Sequence, residues 1–452
     1  MKREHWKSRI GFIWAAVGSA VGLGSIWRFP YVVGNNGGAA FILVYLVCLI
    51  FVGFPVLLSE LLIGRTTQKS PAGAFSEIGR TKTWKAFGVI TICTGFIVSS
   101  FYGVIAGTTF GYLIEGILGK LTNFSSAKET LAFYDQSSAS PLWMMLFYTG
   151  FVLISVWILI TGVRKGIEAG NKVMMPLLFF VLLFLVFFGI TLPGSGKGLK
   201  FLFNPNFREL TATSVIIALG QAFFATSLGQ GTMVTYGSYL KKSESLPSVC
   251  VPISVFSTIV SLLAGMAIFS IVFSVGVKPD AGASLMFQTL PLIFSKMTGG
   301  YVMALLFFLL LFLAGITSQI SALEPVIAYL MDEWKWKRHH AVVLAASLSY
   351  LLGIPCALSF GLLKNFTIFH MSIFEFMEFS CVNILIPLGG FVAVVLVGWR
   401  LGIGKAFEKI KVGTSNAFSR YPFIGWYIKI SIKYIAPILI LFILLDLFGV
   451  FK

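Results

Sequence analysis

Apolar stretches long enough to cross a bilayer recur along the whole chain, and they restrict what it can fold into more than any other feature. Residues 10–32, 40–63, 87–116, 141–161, 173–192, 212–237, 249–275, 300–331, 341–360, 370–398 and 424–448 all qualify. As helices, each can span a hydrocarbon core about 30 Å thick. Lipid gives backbone N–H and C=O groups no partners, so helices are the expected form. With 57% hydrophobic and only 11% charged residues among 452, a water-soluble globule is excluded. The expectation is an all-α polytopic membrane protein with 11 transmembrane helices. The first segment contains Arg28 and no A-x-A-like cleavage site, so it reads as a retained span and not a signal peptide.

The 34 Lys and Arg residues outnumber 17 Asp and Glu, a net charge of +17. In a soluble chain that excess would suggest nucleic acid; here its distribution carries the information and no nucleic-acid partner is expected. Basic residues cluster at Lys2–Arg9, Arg65–Lys85, Arg164–Lys172, Lys241–Lys242, Lys335–Arg338 and Arg400–Lys433, while the alternate loops are sparsely basic. The positive-inside bias therefore places the N-terminus in the cytoplasm of a plasma (inner) membrane protein, and eleven crossings place Lys452 outside. Cys48, Cys93, Cys250, Cys356 and Cys381 lie scattered in apolar segments without C-x-x-C spacing, the pattern of buried small hydrophobes. His5, His339, His340 and His370 form no metal-ligand constellation. No nucleophile–base–acid set, phosphate loop or Rossmann fingerprint occurs in a suitable context, so no enzyme activity is expected.

Two segments are interrupted. SAVGLGSIWRFP, residues 19–30, puts Gly22 and Gly24 where the first helix should be continuous, with Arg28 and Pro30 just beyond; GQAFFATSLGQG, residues 220–231, interrupts the sixth with Ser227, Gly229 and Gly231. Glycines in membrane helices can serve close packing alone. Two interruptions at matching places, one beside an intramembrane arginine, fit better with two inverted five-helix repeats whose unwound stretches meet near mid-membrane. Freed carbonyls there can ligate a cation, and half-helix N-termini can hold an anion, so a joint site for sodium and a carboxylate follows. Arg28 is costly at that depth without a partner. Glu375 and Glu378, the acids of the tenth segment, are the candidates. Glu60 in the second segment is expected to brace backbone groups freed by a break.

The stretches KREHWKSRIGFIWAAVGSAVGLGSIWRFPYVVGNNGGAAF, GFPVLLSELLIGR, GVRKGIEAGNKVMMP, GQAFFATSLGQGTMVTYGSYL and FFLLLFLAGITSQISALEPVIAYLMDE resemble the neurotransmitter:sodium symporter family, specifically its prokaryotic amino-acid transporter branch. The likeness runs from the N-terminus to about residue 335. It implies a first inverted repeat at 1–192 (helices 1–5), a second at 193–398 (helices 6–10), and a cytoplasmic loop with helix 11 at 399–452.

By the same resemblance, the second sodium site would use the carbonyls of Gly18, Val21 and Ala314 and the hydroxyls of Thr317 and Ser318. A substrate carboxylate would meet the Leu23 and Gly24 amides and the Tyr102 hydroxyl. Its ammonium would meet carbonyls of Ala20, Phe224 and Ala225 and the Ser227 hydroxyl, with Ser19 and Gly22 alongside. Gly22 stands where monoamine carriers place an aspartate, which fits a substrate that brings its own carboxylate. Val98, Tyr102, Phe224, Gln230, Ser318 and Ala322 would line a largely apolar side-chain pocket, suited to a neutral, fairly hydrophobic amino acid.

The first sodium site departs from the family pattern. Ser25, Ala225 and Ser257 replace its usual side-chain ligands, and with the Ala20 carbonyl they make a degraded site, so a stoichiometry nearer one Na+ per substrate is expected. Chloride is left open: Tyr45, Gln221 and Ser261 match the chloride-dependent members, whereas Ala225 and Ser257 do not. The resemblance also implies gates. The outer pairs Arg28 with Glu378 above a lid of Tyr102 and Phe224; the inner pairs Arg3 with Asp332, helped by Trp6, Ser238 and Tyr239. The expected activity is sodium-coupled import of neutral L-amino acids by alternating access, in a monomer or weak dimer within the lipid bilayer. The alternatives are an amino-acid sensor that binds without transport, and a proton-coupled carrier using Glu60 or Glu378.

Overall fold

A computed structural model describes residues 4–274 and 285–447, and nearly all of them are helical. The first segment divides into α1 (Arg9–Ala20) and α2 (Gly24–Asn35), bent by 53° at the break. Ala39–Thr67, Lys82–Ile117, Pro141–Ile160 and Val163–Thr191 form α3 to α6. The sixth segment is α7 (Ala212–Phe224) and α8 (Thr232–Ser238). Pro247–Ser274, Gly300–Glu333, Arg338–Leu358, Ile373–Ile410 and Pro422–Leu447 form α9 to α13.

By length and composition, 9 helices among the described residues can cross a membrane, or up to 10 when the bent pair counts as one span. The difference from the expected 11 comes from the sixth segment, whose halves have 13 and 7 residues. Its chain leaves the helix after Phe224 and adopts left-handed backbone at Ser227 (φ 52), Gly229 (φ 75) and Gly231 (φ 74). Gly229 is required twice over. Its φ suits glycine, and a β-carbon there would overlap the Ile386 carbonyl of α12.

The first break has a comparable local cause. α1 starts at Ser8, whose hydroxyl caps Gly11 N at 3.0 Å, and ends at Val21, where φ −90 and ψ 70 leave the helical region. A β-carbon on Gly22 would overlap the Ser318 hydroxyl and sit 2.8 Å from the Tyr102 hydroxyl, so α10 and α4 approach the chain where it unwinds. α2 opens with a wide turn, Gly24–Arg28. Pro30 follows closely, and because it has no N–H it interrupts the helical hydrogen-bond ladder next to the point where the turn widens.

Large apolar side chains remain exposed on the outer helices, among them Leu142 at 80%, Trp157 at 71% and Phe180 at 67%. That surface suits lipid and makes the chain a multi-pass membrane protein. Cys93 belongs to it: four cysteines are buried, but Cys93 is exposed, against the expectation of burial. A tight hairpin, Thr367–Ile368 against Met371–Ser372, precedes α12. Its turn residues Phe369 and His370 both have positive φ, the geometry of a type I′ turn.

Candidate functional site

The two breaks face each other across a cavity. Its walls include Ser19, Ala20, Gly22, Gly24, Val98, Tyr102, Phe224, Ser227, Gln230, Ser318 and Ala322, together with Phe223, Leu228 and Ile386, which the sequence did not single out. Of the expected substrate contacts, only Leu23 and Ala225 lie off its surface. The free space is about 30 Å³, room for about two waters, so an amino acid enters only as the walls part.

Most polar groups around this space are joined to one another. Leu23 N donates to the Tyr102 hydroxyl at 3.0 Å. The Ser227 hydroxyl donates to Ser19 O at 2.7 Å, and Ser318 reaches the same carbonyl at 3.2 Å. The link between the broken helices is therefore direct: a side chain from one break satisfies a carbonyl orphaned by the other. Glu60, buried in α3, accepts a 2.7 Å hydrogen bond from Gly229 N, which braces the second break as the sequence suggested.

The residues expected at the second sodium site converge between α1 and α10. Gly18 and Val21 lie at the α1 terminus, and their carbonyls accept no hydrogen bond among the described residues. Across from them Thr317 is fully buried, its hydroxyl 3.0 Å from Ala314 O, and Ser318 lines the cavity. Unpaired carbonyls at the negative end of a helix, beside two hydroxyls, make an all-oxygen set suited to a hard cation.

At the expected first site the hydroxyls are turned onto its own ligands. Ser25 donates to Ala20 O at 3.0 Å and Ser257 to Ala225 O at 2.7 Å. The Thr317 hydroxyl makes the same kind of bond to Ala314 O at the second site, so the two sites differ in ligand chemistry: Ala225 offers no side-chain oxygen, and Ser25 and Ser257 have short side chains. The chloride residues are also mostly committed: Ser261 donates to Ser257 O at 3.0 Å, and Gln221 Nε2 to Gly24 O at 3.0 Å. The Tyr45 hydroxyl is buried.

The outer gate takes a different form from the one expected. Arg28 Nη1 donates to Gln221 Oε1 at 2.7 Å, and its guanidinium lies 5.4 Å from the Phe224 ring centroid. No Arg28–Glu378 ion pair occurs among the described residues. Glu375 is engaged in a capping box with Ser372 at the start of α12.

Of the inner gate, Arg3 lies outside the described residues. The Asp332 carboxylate accepts from Ser70 N at 2.7 Å. Trp6 is buried, with Nε1 on Tyr236 O at 3.1 Å and its backbone N on Tyr239 O at 3.2 Å; the Ser238 hydroxyl bonds Thr235 O close by. The Tyr239 hydroxyl donates to Glu324 Oε1 at 2.7 Å. Glu324 is fully buried and takes a two-pronged ion pair from Arg338, at 2.9 and 2.7 Å. The sequence reading missed Glu324 and Arg338, although an acid inside an apolar span is itself a signal.

Comparison with known proteins agrees with this geometry. A family model described as the sodium:neurotransmitter symporter family matches residues 3–138 and 138–452. The sodium-dependent transporter YhdH of Bacillus subtilis is 35% identical over 449 residues, covering 99% of this chain and 98% of that protein. A sodium-dependent transporter of Haemophilus influenzae is 36% identical over 455 residues, covering 98% of each. Among solved structures, MhsT in complex with L-phenylalanine superposes with a TM-score of 0.91 at 39% identity, over 98% of this chain and 99% of that one.

Proposed function

This chain belongs to the sodium:neurotransmitter symporter family, and from that premise we propose that it imports neutral, largely hydrophobic L-amino acids on a sodium gradient by alternating access. The observation that carries the reading is the cavity between the two helix breaks, with unpaired α1 carbonyls and the Thr317 and Ser318 hydroxyls beside it. The likeness to MhsT, solved with L-phenylalanine, supports an amino acid as substrate. The cavity walls carry no charged side chain, which favours a neutral one.

In this reading Gly18, Val21, Ala314, Thr317 and Ser318 hold the sodium ion that travels with the substrate. Because these ligands come from α1 and α10, the ion favours the arrangement in which those helices meet, and its release frees them to separate. The substrate carboxylate replaces Tyr102 as the partner of Leu23 N, and its ammonium takes the carbonyls of Ala20, Phe224 and Ala225. With Ser25, Ala225 and Ser257 in place of longer or oxygen-bearing side-chain ligands, the first site holds sodium weakly, so coupling is to one ion. The N-terminus lies in the cytoplasm, which makes the Trp6 and Glu324 side the inner one. Residues 1–192 and 193–398 act as inverted repeats around the cavity.

Reconstituted into vesicles, the protein should accumulate labelled amino acid only under an inward sodium gradient, and sodium titration of binding should give a Hill slope near one. Thr317→Ala should raise the sodium concentration needed for half-saturation at least tenfold. Uptake undiminished when choline replaces sodium at fixed pH would overturn sodium coupling. Binding without accumulation would make the protein a sensor.

A further inference from the structure

The polar side chains lining the cavity are satisfied within the protein, with one exception. The Ser19 hydroxyl donates to Ser321 Oγ at 2.8 Å, Ser227 and Ser318 both reach Ser19 O, and the Tyr102 hydroxyl accepts from Leu23 N. Gln230 also lines the cavity and is 7% exposed, yet its Oε1 is sealed from solvent and has no hydrogen-bond partner. The rest of the lining is apolar side chains such as Val98, Leu228, Ala322 and Ile386, and the hydroxyls already named.

The backbone that carries Gln230 is fixed from several sides. It sits between Gly229 and Gly231, both in left-handed backbone (φ 75 and φ 74). A β-carbon on Gly95 of α4 would come within 2.8 Å of the Gln230 carbonyl, so α4 packs directly on this backbone. The linker is further pinned by the Glu60 hydrogen bond to Gly229 N. An amide oxygen buried and unpaired on so fixed a backbone is costly in the free protein, and it gains a partner when a ligand brings one. A 180° turn of the amide presents either its acceptor or its donor.

We propose that Gln230 sets substrate choice by selecting, among neutral amino acids, those whose otherwise apolar side chain carries a hydroxyl, amide or indole N–H over their hydrocarbon counterparts. This rests on the symporter reading above and narrows its substrate class. A hydrocarbon substrate leaves the carboxamide buried and unpaired, whereas a polar-tipped one satisfies it. Sites built around a hydrogen bond discriminate strongly against analogues that lack it.

The test is calorimetric binding to the purified full chain at saturating sodium, using the matched pairs L-tyrosine with L-phenylalanine and L-threonine with L-valine. The polar member of at least one pair should bind about tenfold tighter or more, a difference of ~1.4 kcal/mol. In Q230M, similar in size but unable to hydrogen-bond strongly, that ratio should fall to about one or invert. Sodium-dependent binding in which neither polar member is preferred overturns the inference and leaves the symporter reading intact, as does a Q230M that keeps the wild-type ratio. If no protein amino acid binds with sodium, the symporter reading itself fails and the inference falls with it. Should Q230M fail to fold, the wild-type ratios alone decide.

Discussion

The cavity is closed on its two sides by unlike means. On the side of the N-terminus, the inner one in the reading proposed above, Glu324 of α10 takes both prongs of Arg338 from α11 and the Tyr239 hydroxyl from the end of α8, while Arg338 Nε also reaches Leu159 O of α5 at 2.8 Å. Beneath them Trp6 is hooked onto Tyr236 and Tyr239, and Glu168 of α6 takes Lys7 N at 2.7 Å and the Ser8 hydroxyl at 3.0 Å. On the outer side, closure rests on Arg28 bonded to Gln221 and lying over Phe224. Gln221 in turn holds Gly24 O, so this contact ties α2 to α7. The first contact spans several helices around a buried ion pair; the second is a pair of hydrogen bonds and a ring contact between two helices. A ligand shifts such an equilibrium only by its differential affinity for the two states, so the two closures can be loosened and tested separately.

The sharpest way to break that contrast is Arg338→Ala. It strands the Glu324 carboxylate in a buried setting, a loss of about 3–5 kcal/mol for a broken buried pair. Hydrogen exchange of residues 4–9 should rise by orders of magnitude and substrate affinity should fall; unchanged protection would mean that the ion pair does not hold the inner seal. Gln221→Leu comes next, at about 1.5–3 kcal/mol for a hydrogen bond to a charged group. It should loosen residues 24–35 and leave 4–9 protected. Equal loosening at both ends would show one cooperative closure and dissolve the distinction.

Trp6→Phe tests the inner side more gently. It keeps an aromatic ring against Tyr236, 5.2 Å away between centroids, and deletes the Nε1 bond to Tyr236 O, at about 0.5–1.5 kcal/mol. Exchange of residues 4–9 should quicken by roughly tenfold at most. An effect as large as that of Arg338→Ala would move the centre of the inner seal from Glu324 to Trp6.

How much of this was legible in the sequence varies by residue. The helix breaks were, because Gly22, Gly229 and Gly231 mark where backbone must unwind or pass close to a neighbour. Glu60 was, because an acid beside a broken segment has few other uses. The partner of Arg28 was not: the sequence offers acids, but a neutral carboxamide can serve the guanidinium and a freed carbonyl together, as Gln221 does. Glu375 could have been set aside, since S-x-x-E at 372–375 is a capping-box signature. Glu324 was visible as an intramembrane acid, but its pairing with Arg338 depends on how α10 and α11 pack, which no local pattern encodes. A count by helix length falls short of 11 for a reason already visible in the sequence: the segment 212–237 is interrupted, and neither half alone is long enough to cross.

The finest division of the outer closure is between its hydrogen bond and its ring contact, and Arg28→Lys separates them. Lysine keeps a positive charge and a donor for Gln221 Oε1 but gives up the planar guanidinium that lies over Phe224. A cation over a ring is worth about 0.5–1 kcal/mol at an exposed site and more when desolvated. Residues 24–35 should therefore exchange only a few-fold faster, with no change at 4–9. If the variant instead loosens the outer side as much as Gln221→Leu does, the Phe224 contact carries the closure and the hydrogen bond is secondary. The outer side would then open by rotation of one aromatic ring, and Phe224 would act as the gate where it was expected only as its lid.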